Sequence, residues 1–389
     1  SGSDIEIHSG DTLTLAGLLE ADGDVIVTAG TTIVANETSI DVQGTSVMRS
    51  TGGGGEIQIV GLNDVLINSQ IGPNSTGLNL IQIESTEGTL FVDSQSGRIE
   101  TDGHIGLYGK DVTVEGVVIN TADTAEEHDV NIKADNILTL PVNLSAAGSI
   151  RLWAGNSLDV YNATVETTGA GQAITIVSQG SLTLGKEDNG QQLSAILQAK
   201  GSIDVDAAGL ATLNAAAKLA TSGDDSTISV TAGDLSLIGS ILAGAYSISG
   251  TDTWTGNSAE VQIQVTEMLT LGEQGASPTY GGTIRATGAI DIDVTGGTAA
   301  VGLSMNALSD IWSDPTGLYD SGSMTLPLPT PSVSASVDID VDTDAQIYGV
   351  VRASDSGLGP DNLAVTAGGL LLIDGFIEAD DSVTVSGGQ

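Results

Sequence analysis

The sequence of 389 residues contains no cysteine. Disulfides, thiolate metal sites and cysteine nucleophiles are therefore all excluded. Aromatic residues make up only 3% of the chain, which disfavours a large aromatic-lined ligand pocket. No apolar stretch reaches the roughly 18 residues that a membrane-spanning helix needs, so we expect no membrane insertion.

Positively charged residues are also scarce. Ten lysines and arginines stand against fifty aspartates and glutamates, and the formal net charge is -40. Because phosphate binding requires a basic patch, we expect no nucleic-acid partner. The acidity itself has two interpretations, which are solubility in salty surroundings and binding of divalent cations.

What the sequence does contain is a repeated unit rich in Val, Ile, Leu, Ala and Gly. Residues 203–207 (IDVDA) alternate apolar and acidic side chains, as a half-buried strand does, and the same cycle begins again at Ile228. A unit of about 25 residues cannot bury its own apolar face, so it must stack on its neighbours. We therefore expect a chain of stacked units rather than separate compact cores.

An internal match supports this organisation. Residues 226–245 align without gaps on residues 361–380, and the tetrapeptide VTAG recurs at 230–233, 365–368 and 27–30. The alanine-rich residues 214–220 correspond to residues 239–244 (GSILAG) of the next unit, so we predict a strand there rather than a helix. Further units are predicted to start near Ile57, Ile81, Ile105, Val130, Ile150, Ile174, Val261, Ile290, Val337, Leu363 and Val383.

Short Val-, Ile- and Thr-rich strands with Gly-, Asn- and Asp-rich turns predict an all-β chain. We predict a right-handed parallel β-helix of about 14 coils, a single continuous solenoid over residues 1–389. An array of β-sandwich domains is the alternative, although sandwiches usually need longer strands and aromatic core residues. The last unit, from Asp381, resembles a coil start, and we expect a segment cut from a longer array with flanking repeats stacked end to end as partners.

Three stretches break the pattern and are predicted as excursion loops, at residues 38–55, 244–259 and 300–336. The second carries Trp254 and the third carries Trp312 and three alternating prolines, which cannot lie in an interior strand. A long excursion from a solenoid often carries specificity, so 300–336 is a candidate for binding a glycan or a protein.

No catalytic residue is predicted. The three histidines are His8, His104 and His128, each in a polar setting typical of the surface, and no nucleophile, phosphate-loop or zinc-protease motif is present. Parallel β-helices do host polysaccharide lyases and hydrolases, but such sites need clustered carboxylates and a basic partner, and the ten cations are scattered along the chain. We predict a protein that is not an enzyme, with a polysaccharide-active enzyme as the alternative.

One acidic stretch is a candidate metal site. Its four aspartates alternate along a predicted strand, so that their carboxylates project to one side about 7 Å apart. That spacing is too wide for one ion unless a neighbouring coil adds ligands, and hard oxygen donors favour Ca²⁺. The alternative is the solvated face of a strand, and no cofactor is predicted to be required. The candidate ligands are Asp338, Asp340, Asp342 and Asp344.

Units such as residues 23–35, 147–160 and 230–243 resemble the repeats of filamentous-haemagglutinin-type and other giant bacterial surface proteins. The resemblance implies a parallel β-helix stalk that is secreted or displayed on the bacterial cell surface. It also implies a structural or adhesive role, with a cell-surface glycan or protein as partner. No binding residue is carried over, because no site motif of that group matches.

Overall fold

The computed structural model describes residues 3–31, 37–44, 46–72, 77–120, 129–248, 251–254, 258–275, 277–296, 298, 300–313, 336–353 and 361–388. The chain is all-β, and the described residues contain no helix, hence none that could span a bilayer. Two compact units can be distinguished, Ser1–Gly180 (unit 1) and Ser181–Gln389 (unit 2).

The strands of unit 1 are β1 (Ile5–Ser9), β2 (Leu13–Leu15), β3 (Leu18–Ala21), β4 (Val25–Ala29), β5 (Thr38–Val42), β6 (Val47–Ser50), β7 (Glu56–Gly61), β8 (Asp64–Ile67), β9 (Gln70–Ile71), β10 (Leu80–Val92), β11 (Arg98–Thr101), β12 (His104–Val114), β13 (Val117–Asn120), β14 (Val130–Ala134), β15 (Ile137–Leu140), β16 (Leu144–Ala146), β17 (Ile150–Ala154), β18 (Ser157–Val160), β19 (Ala163–Thr167) and β20 (Ile174–Ser178).

The strands of unit 2 are β21 (Ser181–Leu184), β22 (Lys186–Asp188), β23 (Gln191–Leu193), β24 (Ala195–Ala199), β25 (Ile203–Leu213), β26 (Ala217–Thr221), β27 (Thr227–Leu237), β28 (Ser240–Ala243), β29 (Ala245–Ile248), β30 (Thr251–Trp254), β31 (Glu260–Val265), β32 (Leu269–Leu271), β33 (Thr283–Ala286), β34 (Ile290–Val294), β35 (Val301–Met305), β36 (Asp310–Ser313), β37 (Ser336–Val341), β38 (Asp344–Ile347), β39 (Val350–Ala353), β40 (Asn362–Ala367), β41 (Leu371–Ile373), β42 (Phe376–Ala379) and β43 (Ser382–Gly387).

Each turn of unit 1 contributes to three parallel ladders. The first ladder joins β1, β4, β7, β10, β12, β14, β17 and β20 in order. The second begins β2, β5, β8 and the third begins β3, β6, β9. In β10 and β12 the first and second strands of the turn merge into one. Every strand thus bonds to its equivalent in the next turn, as a parallel β-helix requires.

Unit 2 repeats this arrangement. Its first ladder runs β25, β27, β31, β34, β37, β40, β43, and its third runs β24, β26, β28, β33, β36, β39, β42. The alanine-rich residues 214–220 are not helical, as predicted: Ala217–Ala220 belong to β26, which pairs with β28, and residues 214–216 form the turn before it. Two antiparallel hairpins, β22–β23 and β29–β30, leave these ladders.

Alternation along each strand places one aliphatic row inside. Within unit 1 the first ladder stacks buried β-branched residues from turn to turn, namely Val25, Ile57, Ile81, Ile105, Val130, Ile150 and Ile174. Within unit 2 the equivalent row is Ile203, Ile228, Val261, Ile290, Val337 and Leu363. Burial of these rows is the main source of stability, because each buried aliphatic side chain contributes about 1.5–3 kcal/mol.

In unit 2 the last inward position of the third ladder takes only small side chains. It stacks Ala199, Thr221, Ala243, Ala286, Ser313 and Ala353, all buried. The side chains at this position are buried and stack directly on one another from turn to turn. The abundance of alanine in the sequence therefore has a structural cause.

Two sequence-based predictions need correction. Residues 38–55 are not an excursion, because β5 and β6 continue the second and third ladders. The gapless match of 226–245 with 361–380 holds only for the first strand. Leu235 is equivalent through the ladder to Leu371, not to Leu370, whose side chain is 64% exposed. One extra residue in the corner at Gly368 and Gly369 shifts the second and third strands.

The other two predicted excursions are narrower than expected. Within 244–259 the hairpin β29–β30 does leave the ladders. Within 300–336, however, β35 pairs in parallel with β32 and β38, β36 lies in the third ladder, and β37 begins at Ser336. Residues 314–335, which include the three prolines, lie outside the described residues.

Candidate functional site

The four predicted metal ligands do not converge. Asp338 and Asp340 project outward from β37 and are exposed. Asp342 lies in the turn after β37, where its backbone N–H donates to the carbonyl of Val294. Asp344 begins β38, and its Oδ1 accepts a hydrogen bond of 2.7 Å from the N–H of Leu370. The alternation predicted over this stretch therefore breaks at the turn.

Instead, the ladder brings two of them beside a second acidic pair. Asp291 of β34 lies opposite Asp338, and Asp293 lies opposite Asp340. Adjacent strands are about 4.8 Å apart, so four carboxylates share one small area of the outer face. Burial raises the pKa of Asp291 above its ordinary value, and the charges of Asp338, Asp293 and Asp340 raise it further.

This acidic quartet gives no geometric support for a bound ion. Among the residues that the structure describes, no three histidine, aspartate or glutamate side chains are arranged to hold a metal. The remaining acidic pair, Asp204 and Asp206 of β25, faces Ser229 and Thr231 across the ladder. Calcium binding stays a prediction.

Many other aspartates link one turn to the next. Asp64 accepts a hydrogen bond from the N–H of Thr89 at 2.7 Å, and Asp111 accepts one from the N–H of Ile137 at 3.2 Å. Asp344 makes the same contact with Leu370. Each carboxylate accepts a hydrogen bond from a backbone N–H of the adjacent turn, so part of the acidity has a structural role.

The residues singled out in the sequence lie mostly at the surface. His8 accepts or donates a hydrogen bond with Thr28, and His104 accepts one from the N–H of Asp129. His128 lies outside the described residues. Trp254 packs against Ala220 and Leu242. It covers the outer face of the third ladder and has a structural contact there.

Trp312 lies in an outward row of the third ladder between two arginines. The guanidinium carbons of Arg285 and Arg352 are 5.9 Å and 5.4 Å from the ring centroid. Arg285 is paired with Asp310 at 2.6 Å, and Arg352 lies 3.3 Å from Glu378. Both cations are thus compensated by carboxylates of neighbouring strands.

A groove lies on the outer face of the first ladder of unit 1. It lies over β10, β12 and β14 and encloses a cavity of about 270 Å³. We call it the Tyr108 groove. Glu84 and Thr86 form one wall, Gly109 the floor, and Lys133 and Asp135 the other wall.

A glycine of β12 determines how the Tyr108 ring lies in the groove. A Cβ at Gly106 would lie 2.6 Å from a ring carbon of Tyr108, so the ring lies directly over this glycine. The ring is therefore turned back along β12, and Gly109 lines the cavity beside it. The bulge between Ser85 and Thr89 adds residues to β10 that β12 lacks, and this raises the wall.

The groove continues as an outward row across the ladder. Glu84, Tyr108, Lys133 and Trp153 face one another in successive strands. The Lys133 ammonium lies 5.0 Å from the Trp153 ring centroid and 2.9 Å from an oxygen of Asp135. Gln82 donates a hydrogen bond of 3.2 Å to Glu84. Lys133 therefore lies between Tyr108 and Trp153 in the row and is paired with the carboxylate of Asp135.

Sequence reasoning did not find this groove. Tyr108, Lys133 and Trp153 are far apart in the chain, and only the turn-to-turn register brings them together. The usable signal was that each of them stands three residues after the inward aliphatic at a predicted coil start, namely Ile105, Val130 and Ile150.

Comparisons with protein-family models, curated proteins and solved structures found no match to this chain. The resemblance to giant bacterial surface proteins therefore stays a prediction.

Proposed function

We propose that this chain is a structural and adhesive segment of a large secreted or surface-displayed bacterial protein. The observation that supports the proposal is the regular stacking of turns within each unit. Every turn is joined to the next by parallel backbone hydrogen bonds over a continuous aliphatic row. Such a scaffold holds outward side chains at fixed intervals of about 4.8 Å, which suits repeated contacts with an extended partner.

The acidic exterior agrees with this role. A net charge of -40 keeps copies apart and favours solubility in salty surroundings. Flanking repeats remain the proposed end-to-end partners, stacking on β43, where Val383 and Val385 are each 46% exposed. A cell-surface glycan or protein is the proposed adhesive partner.

The proposal is tested by antibody labelling of the source cells. Antibodies raised against the purified chain should label intact, unpermeabilised cells, and beads coated with the chain should adhere to cell surfaces more than albumin-coated beads. Labelling that needs permeabilisation, together with adhesion at the albumin level, would contradict the proposal.

A further inference from the structure

We infer that the Tyr108 groove binds a neutral oligosaccharide, whose sugar rings lie across strands β10 to β17. The inference rests on the proposed adhesive function and names the ligand class and the site. It starts from the row Glu84, Tyr108, Lys133 and Trp153, which the ladder register places side by side.

The side chains of the row match the chemistry of a sugar. Sugar rings present apolar C–H faces and a rim of hydroxyls, so their sites combine aromatic rings with both hydrogen-bond donors and acceptors. Tyr108 and Trp153 supply the rings. Lys133 is a donor, and Glu84 and Asp135 are acceptors at the cavity wall. In a chain with 3% aromatic residues, two rings in one outward row are a concentration of a scarce residue type.

The space is also preformed. Gly106 allows the Tyr108 ring to lie flat over the strand, and Gly109 also lines the cavity. The contacts of Lys133 with Trp153 and Asp135 hold the other wall. A cavity of about 270 Å³ is small for a whole ligand, so it suits part of a chain that continues along the surface.

The charge of the groove favours a neutral ligand. Glu84 and Asp135 outnumber Lys133 in the cavity wall, and the net charge of the chain is -40. An acidic or sulfated glycan would meet repulsion both near and far from the site. A neutral sugar has no such penalty, and its hydroxyls can donate to the carboxylates.

The experiment uses the full chain on an array of immobilised neutral, uronic-acid and sulfated oligosaccharides. Calorimetry then measures the affinity for the tightest neutral binder. We expect neutral oligosaccharides to be bound preferentially, and Tyr108→Ala and Trp153→Ala each to weaken binding about tenfold. Gly106→Val keeps every groove side chain but displaces the Tyr108 ring, and it should weaken binding to a similar degree.

Tyr348→Ala is the matched control, because Tyr348 is a partly exposed tyrosine of unit 2 outside the groove, and it should leave the affinity unchanged. Circular dichroism verifies that each variant is folded. The inference is overturned if no neutral oligosaccharide is bound, if acidic ones bind more tightly, or if folded Tyr108→Ala and Gly106→Val bind as the wild type does. Release of new reducing ends from the bound sugar would overturn it in favour of catalysis.

The outcome separates the two proposals. Antibody labelling of intact cells without oligosaccharide binding would retain the adhesive function and remove this site. Oligosaccharide binding by a chain that is confined inside cells would retain the site and remove the surface role.

Discussion

Strand β14 in unit 1 and strand β34 in unit 2 hold the same place in their turns. Their inward side chains are almost interchangeable aliphatics, Val130 and Ile132 in one, Ile290 and Ile292 in the other. Their outward side chains differ completely, since β14 carries Asn131 and Lys133 whereas β34 carries Asp291 and Asp293. The inward row of side chains therefore specifies the fold, while the outward row varies and can carry function.

The largest effect is expected from the inward row. Replacing Ile132 by Ala leaves a cavity between Leu107 and Leu152, and should lower the free energy of unfolding by about 2–5 kcal/mol. The outward neighbour Asn131→Ala should change it by less than about 0.5 kcal/mol. Urea denaturation followed by circular dichroism measures both, and equal losses would contradict the division between the two rows.

A smaller effect is expected where an outward carboxylate bonds to the next turn. Asp344→Ala removes the acceptor of the Leu370 N–H and should lower the free energy of unfolding by about 0.5–1.5 kcal/mol. Asp340→Ala is the control. Asp340 is an exposed member of the acidic quartet, so its removal should not lower the free energy of unfolding. The measurement is again urea denaturation, and a larger loss in Asp340→Ala would show that the quartet is stabilising, as a bound cation would make it.

Neutralising one aspartate of the acidic quartet should increase the stability of the fold. Like charges opposite each other in a ladder are unfavourable, so Asp291→Asn should raise the free energy of unfolding by about 0.2–1 kcal/mol at neutral pH and low salt. Salt screens exposed charges, and the gain should shrink at high salt. In unit 1, Asn131→Asp introduces an acid at the equivalent position and tests whether the effect needs the neighbouring aspartates.

The smallest effect is the pH dependence of that gain. The pKa of Asp291 is raised in the folded chain above its ordinary value of 3.8. Its contribution to stability is therefore fully present below the ordinary value and is lost as pH rises through the raised one. The advantage of Asp291→Asn should be constant near neutral pH and disappear on acidification, and a gain that grows towards acid would have the wrong sign.

Much of the fold could be predicted from the sequence, for a physical reason. Alternation in segments such as 203–207 and 228–232 is a local property of the chain, and burial of a stacked aliphatic row leaves a single consistent arrangement. The predictions of strand register and of the extent of the loops were wrong. One extra corner residue near Gly368 shifted an apparently gapless match, because a strand's facing reverses with every residue.

The candidate sites could be predicted much less well. The acidic alternation from Asp338 to Asp344 was visible, but the turn at Asp342 separates the last two carboxylates from the first two. The partners Asp291 and Asp293, and likewise the row at Tyr108, depend on which turns are adjacent. Those contacts are between residues distant in sequence, and they become visible only when the predicted coil starts are aligned with one another.

The most direct test of the account is a melting-temperature measurement on wild type and on the double variant Tyr108→Ala/Trp153→Ala, without and with a saturating neutral oligosaccharide. A ligand that binds only the folded state raises the melting temperature. The account predicts a rise for the wild type and none for the double variant. It also predicts that the ligand-free double variant melts above Ile132→Ala. An unchanged wild type, or a double variant as unstable as Ile132→Ala, would contradict the claim that the outward row carries binding and the inward row carries the fold.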